Sequence, residues 1–271
     1  MINVLWAVLV LFGIGILCAL LLAFTDKYFG VKADERVSAI RGYLPGANCG
    51  ACGFTGCDGY AEAVARGEAL ANLCIPGGKD AAARIADLIG GEAGEIAEMK
   101  AFVHCGGAEE VSVRETEFVG PATCHAKNLF SGGDRACKSA CLGCGDCAEA
   151  CPVDAITVKG GIAWVDPKVC IGCGKCVSEC PKGIISLIPK NSRVAVACSS
   201  HEKGAVVRKY CKVGCIGCKK CENTCKWGAI KVVDNLATID YGKCVGCGEC
   251  VGVCPTGCII YTNLCRECGN G

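Results

Sequence analysis

This 271-residue chain is short of the residues that ordinarily build a large core, with 2 methionines, 7 phenylalanines and 3 tryptophans. Its hydrophobic share of 52 % includes 29 cysteines; without them the apolar share falls to about 41 %. One large aliphatic core is therefore excluded, and units below roughly 60 residues need disulfides or metals to hold them. Histidine is scarce as well, and His104, His125 and His201 are expected to play no metal role. P-loop and nucleophile-elbow motifs are missing. The one nominal G-x-G-x-x-A match, Gly143 to Ala148, lies inside a cysteine loop and is no dinucleotide site. No catalytic residue and no nucleic-acid partner are expected. A basic segment ahead of the first apolar run is also missing, which argues against a cleaved signal peptide.

What is present begins with that run. Val4 to Phe24 holds 21 residues without a charge, a helix of about 31 Å against a hydrocarbon core of about 30 Å. Residues 1–26 are accordingly expected to form a transmembrane helix. The first charges, Asp26, Lys27, Lys32 and Arg36, all follow it, which predicts a body on the cytoplasmic side of the cell membrane. Cys18, inside the run, is expected to pack against partner helices rather than to ligate.

Disulfides fit the cysteines poorly: their number is odd, and they recur at metal-ligand spacing. CLGCGDCAEACPVDAITV (141–158) is followed by CIGCGKCVSECPKGIISL (170–187). CIGCKKCENTCKWGAIKV (215–232) is then followed by CVGCGECVGVCPTGCIIY (244–261). Four copies of one unit thus form two tandem pairs. In the spacing C-x2-C-x2-C-x3-C-P the fourth cysteine ligates the other [4Fe–4S] cluster of a two-cluster ferredoxin. Cys141, Cys144 and Cys147 therefore pair with Cys180, and Cys170, Cys173 and Cys176 with Cys151. Likewise Cys215, Cys218 and Cys221 pair with Cys254, and Cys244, Cys247 and Cys250 with Cys225. Lys226 replaces the proline after Cys225, a change to the turn and not to the thiolate. Zinc, the competing metal, prefers two C-x2-C knuckles or mixed histidine ligands.

An earlier group, Cys49, Cys52, Cys57 and Cys74, lies in one continuous segment among glycines at 50, 53, 56 and 59 and reads as a self-contained fifth cluster. Five clusters at about −2 each shift the formal charge from +1 to about −9. The fold class expected is α+β, made of small cluster-stabilised domains. They comprise a single-cluster domain at 32–91, a connecting segment at 92–135 and a 2[4Fe–4S] ferredoxin-type domain at 136–190. A connecting strand at 191–208, a second ferredoxin-type domain at 209–262 and a tail at 263–271 complete the chain. A short helix is expected over 80–91 and a strand over 96–104, with hairpins around GGIAWVD (160–166) and DNLATID (234–240).

Cys105, Cys124, Cys137, Cys198, Cys211, Cys258, Cys265 and Cys268 have no complete quartet spacing and are expected as buried small apolar residues, with a further metal site as the alternative. Cys137 and Cys211 each stand four residues before a ferredoxin run, and Cys105 and Cys198 each end an apolar run, the outline of a second, looser repeat.

The order of membrane helix, NCGACGFTGCDGYAEAVARGEA with NLCIPGG, and ferredoxin pairs resembles the B subunit of the Rnf complex, an ion-translocating ferredoxin:NAD+ oxidoreductase. The resemblance covers nearly the whole chain; the second ferredoxin pair is similar to the extended form of that family. It implies an electron relay from reduced ferredoxin to membrane partner subunits, with the NAD+ site and ion path on other chains. Arg208, Lys209, Lys212, Lys219, Lys220, Lys226 and Lys231 face only Glu222 in their stretch, and a donor ferredoxin, generally acidic, is expected to dock there, chiefly at Lys212, Lys219 and Lys220. The alternatives are a ferredoxin-type subunit of a hydrogenase or formate dehydrogenase, and a redox-sensing or zinc-structured scaffold.

Overall fold

The computed structural model describes residues 2–29, 34–94 and 98–263; Cys265, Cys268 and all but the first residue of the expected tail lie outside them. Helix α1 (Ile2–Phe29) runs three residues past the expected end of the transmembrane segment. Its side chains are described continuously only from Leu11 to Leu22, all of them exposed. Among the described residues no helix is long and apolar enough to cross a membrane.

Three helices follow: α2 (Glu35–Tyr43), α3 (Cys57–Ala65) and α4 (Gly78–Ile89). Asp34 caps α2 through Arg36 N–H, and Gly90, left-handed at φ 71°, ends α4 where the sequence reading closes that helix. Ile40, Tyr60, Ala61, Val64 and Ile85 face inward to form a small core that also contains Cys57 and Cys74. Each fully buried aliphatic side chain here is worth about 1.5–3 kcal/mol, and so few of them stabilise only a small unit.

The remainder repeats one plan. Strand β1 (Met99–Val103) precedes helix α5 (Cys124–Leu129) and the first cysteine unit, which carries helix α6 (Asp146–Glu149), the hairpin β2 (Ile156–Lys159) and β3 (Ile162–Val165), helix α7 (Lys175–Glu179) and strand β4 (Ile185–Pro189). The second round has β5 (Val194–Val196), α8 (Gly204–Tyr210), α9 (Lys220–Thr224), the hairpin β6 (Ile230–Val233) and β7 (Leu236–Ile239), α10 (Glu249–Gly252) and β8 (Ile259–Tyr261). The segment 191–208 is thus more than a connecting strand, since it holds β5 and the start of α8. β1 pairs antiparallel with β4, and β5 with β8. Each unit therefore closes on a strand that precedes its cysteine motif, a long-range partner that local spacing does not reveal.

The glycine before the second cysteine of each unit packs closely on another segment: Gly172 and Gly246 at the starts of β1 and β5, Gly143 and Gly217 on the hairpin turns at Gly161 and Asn235. Gly172 has φ 68°, and a Cβ there would stand 2.5 Å from the Met99 carbonyl at the start of β1. Its counterparts Gly143, Gly217 and Gly246 also have positive φ. Gly183 shares the backbone conformation, at φ 61°, in open space. Gly172→Ala is expected to cost at least about 2 kcal/mol in anaerobic denaturation, and Gly183→Ala about 1 kcal/mol. Equal costs would show that close approach to β1 plays no part.

Candidate metal centres

Cys49, Cys52, Cys57 and Cys74 line one cavity of about 310 Å³ with Pro45, Tyr60 and Pro76. Asn48 sets the loop: its side-chain oxygen accepts the Cys57 N–H at 2.9 Å, at the start of α3. On the far limb Tyr60 donates its hydroxyl to Leu70 O at 2.7 Å and accepts Leu73 N–H at 3.3 Å, which holds Cys74 across the cavity.

In the second tandem pair, Cys225, Cys244, Cys247 and Cys250 line a cavity of about 370 Å³. Cys215, Cys218, Cys221 and Cys254 line another of about 320 Å³, where Cys258 joins them. Both groupings draw their cysteines from both units of the pair. In the first pair Cys151, Cys170, Cys173 and Cys176 lie within mutual electrostatic range. Main-chain amides point at these sulfurs: Ala101 N–H donates to Cys170 at 3.4 Å, Ala155 N–H to Cys151 at 3.3 Å, and Cys258 N–H to Cys254 at 3.3 Å.

The remaining quartet has a further cysteine beside it. Cys141, Cys147 and Cys180 line a cavity of about 340 Å³, but the fourth cysteine on its wall is Cys124. Cys144 directs its thiol to Leu142 O at 3.7 Å and hydrogen-bonds with Cys124. Cys124 is held there by α5, whose first amides, Cys124 N and His125 N, donate to the Asp146 carboxylate. Lys127 anchors the same helix from below, reaching Asp134 at 2.9 Å and Leu142 O at 3.3 Å. No cysteine spacing signals this arrangement, because Cys124 arrives from a poorly patterned segment.

Burial pushes the Cys147 and Cys176 thiols up to about 12 and those of Cys221 and Cys250 up to about 11. Four thiolates can share such cavities only around a cationic core. The sulfur spacing bears on which core. A tetrahedral zinc with Zn–S near 2.3 Å brings its sulfurs to about 3.8 Å from one another. Among the described residues no three cysteine sulfurs lie within 4.8 Å of one another; the compact group is His125, Asp146 and Glu179, at the surface. The donor set and its spacing fit a larger iron–sulfur core. The quartets also adjoin: Cys49 interacts electrostatically with Cys173, and Cys176 with Cys147.

Family comparisons agree with this layout. A family model described as "Putative Fe-S cluster" matches residues 44–76, and one described as "4Fe-4S dicluster domain" matches 140–184 and 214–258. The chain is 41 % identical over 250 residues to the B subunit of the Na(+)-translocating ferredoxin:NAD(+) oxidoreductase complex of Acetobacterium woodii, covering 92 % of this chain and 73 % of that protein. It is 45 % identical over 240 residues to the B subunit of the proton-translocating ferredoxin:NAD(+) oxidoreductase complex of Clostridium ljungdahlii, covering 88 % and 84 %. It is 37 % identical over 238 residues to the B subunit of an ion-translocating oxidoreductase complex of Methanosarcina acetivorans, covering 88 % and 90 %.

Tyr60 offers a test of the first cavity's scaffold. Burial pushes its hydroxyl up to about 12. A group raised above its unfolded value of about 10 keeps its full contribution below pH 10 and loses it as pH climbs through 12. Tyr60→Phe is expected to cost about 1–3 kcal/mol at pH 8 by leaving Leu70 O and Leu73 N without a partner, and to remove Tyr60's share of the alkaline loss, the buried Tyr241 keeping its own. Amide exchange at Leu73 and Cys74 would quicken while β6 and β7 stay unchanged. Unaltered exchange at Leu73 would show that Tyr60 does not hold this limb.

Proposed function

We propose a function from the premise that the chain belongs to the family of B subunits of the ion-translocating ferredoxin:NAD+ oxidoreductase (Rnf) complexes. It is the iron–sulfur electron-relay subunit of such a complex, accepting electrons from reduced ferredoxin and passing them to membrane partners. The observation that carries this reading is identity above 40 % along most of the chain to two such subunits, together with cysteine quartets gathered round separate cavities.

We assign five [4Fe–4S] clusters. One is held by Cys49, Cys52, Cys57 and Cys74, one by Cys151, Cys170, Cys173 and Cys176, one by Cys215, Cys218, Cys221 and Cys254, and one by Cys225, Cys244, Cys247 and Cys250. The fifth is held by the motif ligands Cys141, Cys144, Cys147 and Cys180, with Cys124 beside them on the cavity wall and hydrogen-bonded to Cys144. When bound, the clusters supply one-electron centres. The chain fixes their spacing, shields them from water and offers N–H groups to their sulfurs. NAD+ reduction and ion movement fall to other subunits. We further infer a single-pass anchor with the body on the cytoplasmic side. Trp6, Leu11, Phe12, Leu17, Leu22 and Phe24, from all faces of α1, are exposed, as suits a helix surrounded by lipid.

The donor is inferred to dock at the second tandem pair. Cys218 and Cys247 are exposed there, and Arg208, Lys209, Lys212, Lys219, Lys220, Lys226 and Lys231 all reach solvent. Lys226 is paired with Glu249 at 3.1 Å. Glu222, the acidic residue of the stretch, accepts Val232 N–H. Lys219 occupies a left-handed position, φ 59°, that glycine fills in the other three units as Gly145, Gly174 and Gly248. A side chain there costs about 1 kcal/mol, which is consistent with a use for the charge.

Two outcomes test these assignments. In EPR spectra of the reduced, anaerobically reconstituted chain, Cys144→Ser is expected to remove or alter one cluster's signal and Cys124→Ser to retain it; the reverse result would put Cys124 in place of the motif ligand. Lys219→Gly is expected to leave stability equal or up to about 1 kcal/mol higher, yet slow reduction by ferredoxin. Lys219→Glu with Lys220→Glu would slow it further, most strongly at low salt. Rates unchanged at low salt would exclude this face as the dock.

A further inference from the structure

The two ferredoxin-type units meet at a fifth cysteine-lined cavity, of about 360 Å³, which no family match covers. Its walls carry Cys105, Cys137, Cys198 and Cys211, all outside the matched segments 44–76, 140–184 and 214–258. The cavity is as large as those of the assigned quartets, which span about 310 to 370 Å³. We propose that these four cysteines bind a sixth [4Fe–4S] cluster, shared between the two ferredoxin-type units.

The looser repeat explains how four ligands converge without a compact motif. Cys105 lies two residues beyond β1, and Cys198 two residues beyond β5. Cys137 and Cys211 each stand four residues ahead of a cysteine loop, at Cys141 and Cys215. Each unit thus contributes one cysteine from the end of its extra strand and one from the approach to its loop. Neither half has a quartet by itself. Isolated bridges join Ser112 to Cys211 and Arg114 to Arg135, so one short segment links the two approaches.

The sulfurs meet the main chain as the assigned ligands do. Each receives the amide of the residue two positions on: Gly107 for Cys105, Ser139 for Cys137, Ser200 for Cys198 and Val213 for Cys211. The same relation joins Cys141 to Gly143, Cys173 to Lys175 and Cys215 to Gly217. Cys105 also accepts Cys141 N–H at 3.4 Å. Amides aimed at sulfur in this way stabilise thiolate and sulfide charge.

Compensating charge is built in. Arg135, 3 % exposed, donates to Gly107 O and Ser112 Oγ at 2.6 Å each and to Gly161 O at 2.9 Å. Its guanidinium acts on Cys105. His104 is not a competing ligand, because its ring nitrogens are engaged by Val196 O at 2.8 Å and Ser186 Oγ at 2.6 Å. As in the other quartets, no three of these sulfurs lie within 4.8 Å of one another, which is too open for a single zinc ion.

The position gives the site a task. On one side Cys105 touches the backbone of Cys141, a ligand of the first unit. On the other, Cys198 and Cys215 both hydrogen-bond Cys258, so the thiol of Cys258 spans from this cavity to a ligand set of the second unit. The sixth site fills the interval between the two pairs. A cluster held there would supply a one-electron centre between the two pairs, with no bond made and no proton consumed.

This inference rests on the relay reading, and the experiment separates the two. The full-length chain is reconstituted anaerobically with iron and sulfide, and iron, acid-labile sulfide and zinc are counted. About 24 Fe per chain is expected, and Cys137→Ser and Cys198→Ala, each alone, should lose about four Fe and four sulfides while the other EPR signals persist. A wild-type count of about 20 Fe, unchanged by either substitution, would overturn the sixth site and leave the relay standing. Loss of one zinc in place of four iron would also overturn it. A wild-type chain without iron or sulfide would overturn the relay reading itself. Should one variant misfold and lose all its iron, the wild-type count and the other variant decide.

Discussion

Everything in this molecule depends on bringing thiolates together against their own repulsion. Burial raises the thiols at the centre of each quartet, and each sulfur added makes ionisation of the others harder. A cationic inorganic core removes that penalty and replaces it with metal–ligand bonds. The apolar clusters beside the quartets are small, a handful of isoleucines, valines and alanines interleaved with the cysteines themselves. Fold and electron path are thus held by the same bonds, and a change that loosens one loosens the other.

Cross-ligation follows from the geometry of a short loop. Three cysteines at C-x2-C-x2-C can wrap one core, while the fourth is carried off by the turn that leads into the next strand. The tandem pairs solve this by exchange. At a larger scale the two pairs repeat the solution, each lending two cysteines to the cavity between them. The quartets then form a continuous series: Cys49 beside Cys173, Cys176 beside Cys147, Cys141 beside Cys105, and Cys198 linked through Cys258 to Cys215. One end lies beside α2, the other beneath a lysine-rich face.

Much of this could be read from the residues. Cysteine spacing alone pointed to five quartets but not to Cys124 beside one of them, and the strand before Cys105, the helix over 80–91 and both hairpins came from simple periodicity and turn residues. What stayed hidden was long-range. The pairing of β1 with β4 and of β5 with β8 depends on partners more than sixty residues apart. The placement of Cys124 depends on α5, whose only local mark is Thr123 at its cap. Cys137 and Cys211 carried a signal, their equal distance from the following loops, but a ligand set spread over more than a hundred residues has no compact motif. Buried cysteine is ordinary enough that burial by itself pointed to packing.

The central claim is that metal–thiolate bonds, rather than the sparse apolar cores, hold the ferredoxin-type units. Native-state amide exchange across β2, β3, β6 and β7, before and after anaerobic removal of iron by a chelator with thiols kept reduced, tests it most directly. The account predicts that protection of these hairpins collapses as iron leaves and returns when iron and sulfide are restored. Hairpins that stay protected in the iron-free chain would contradict it.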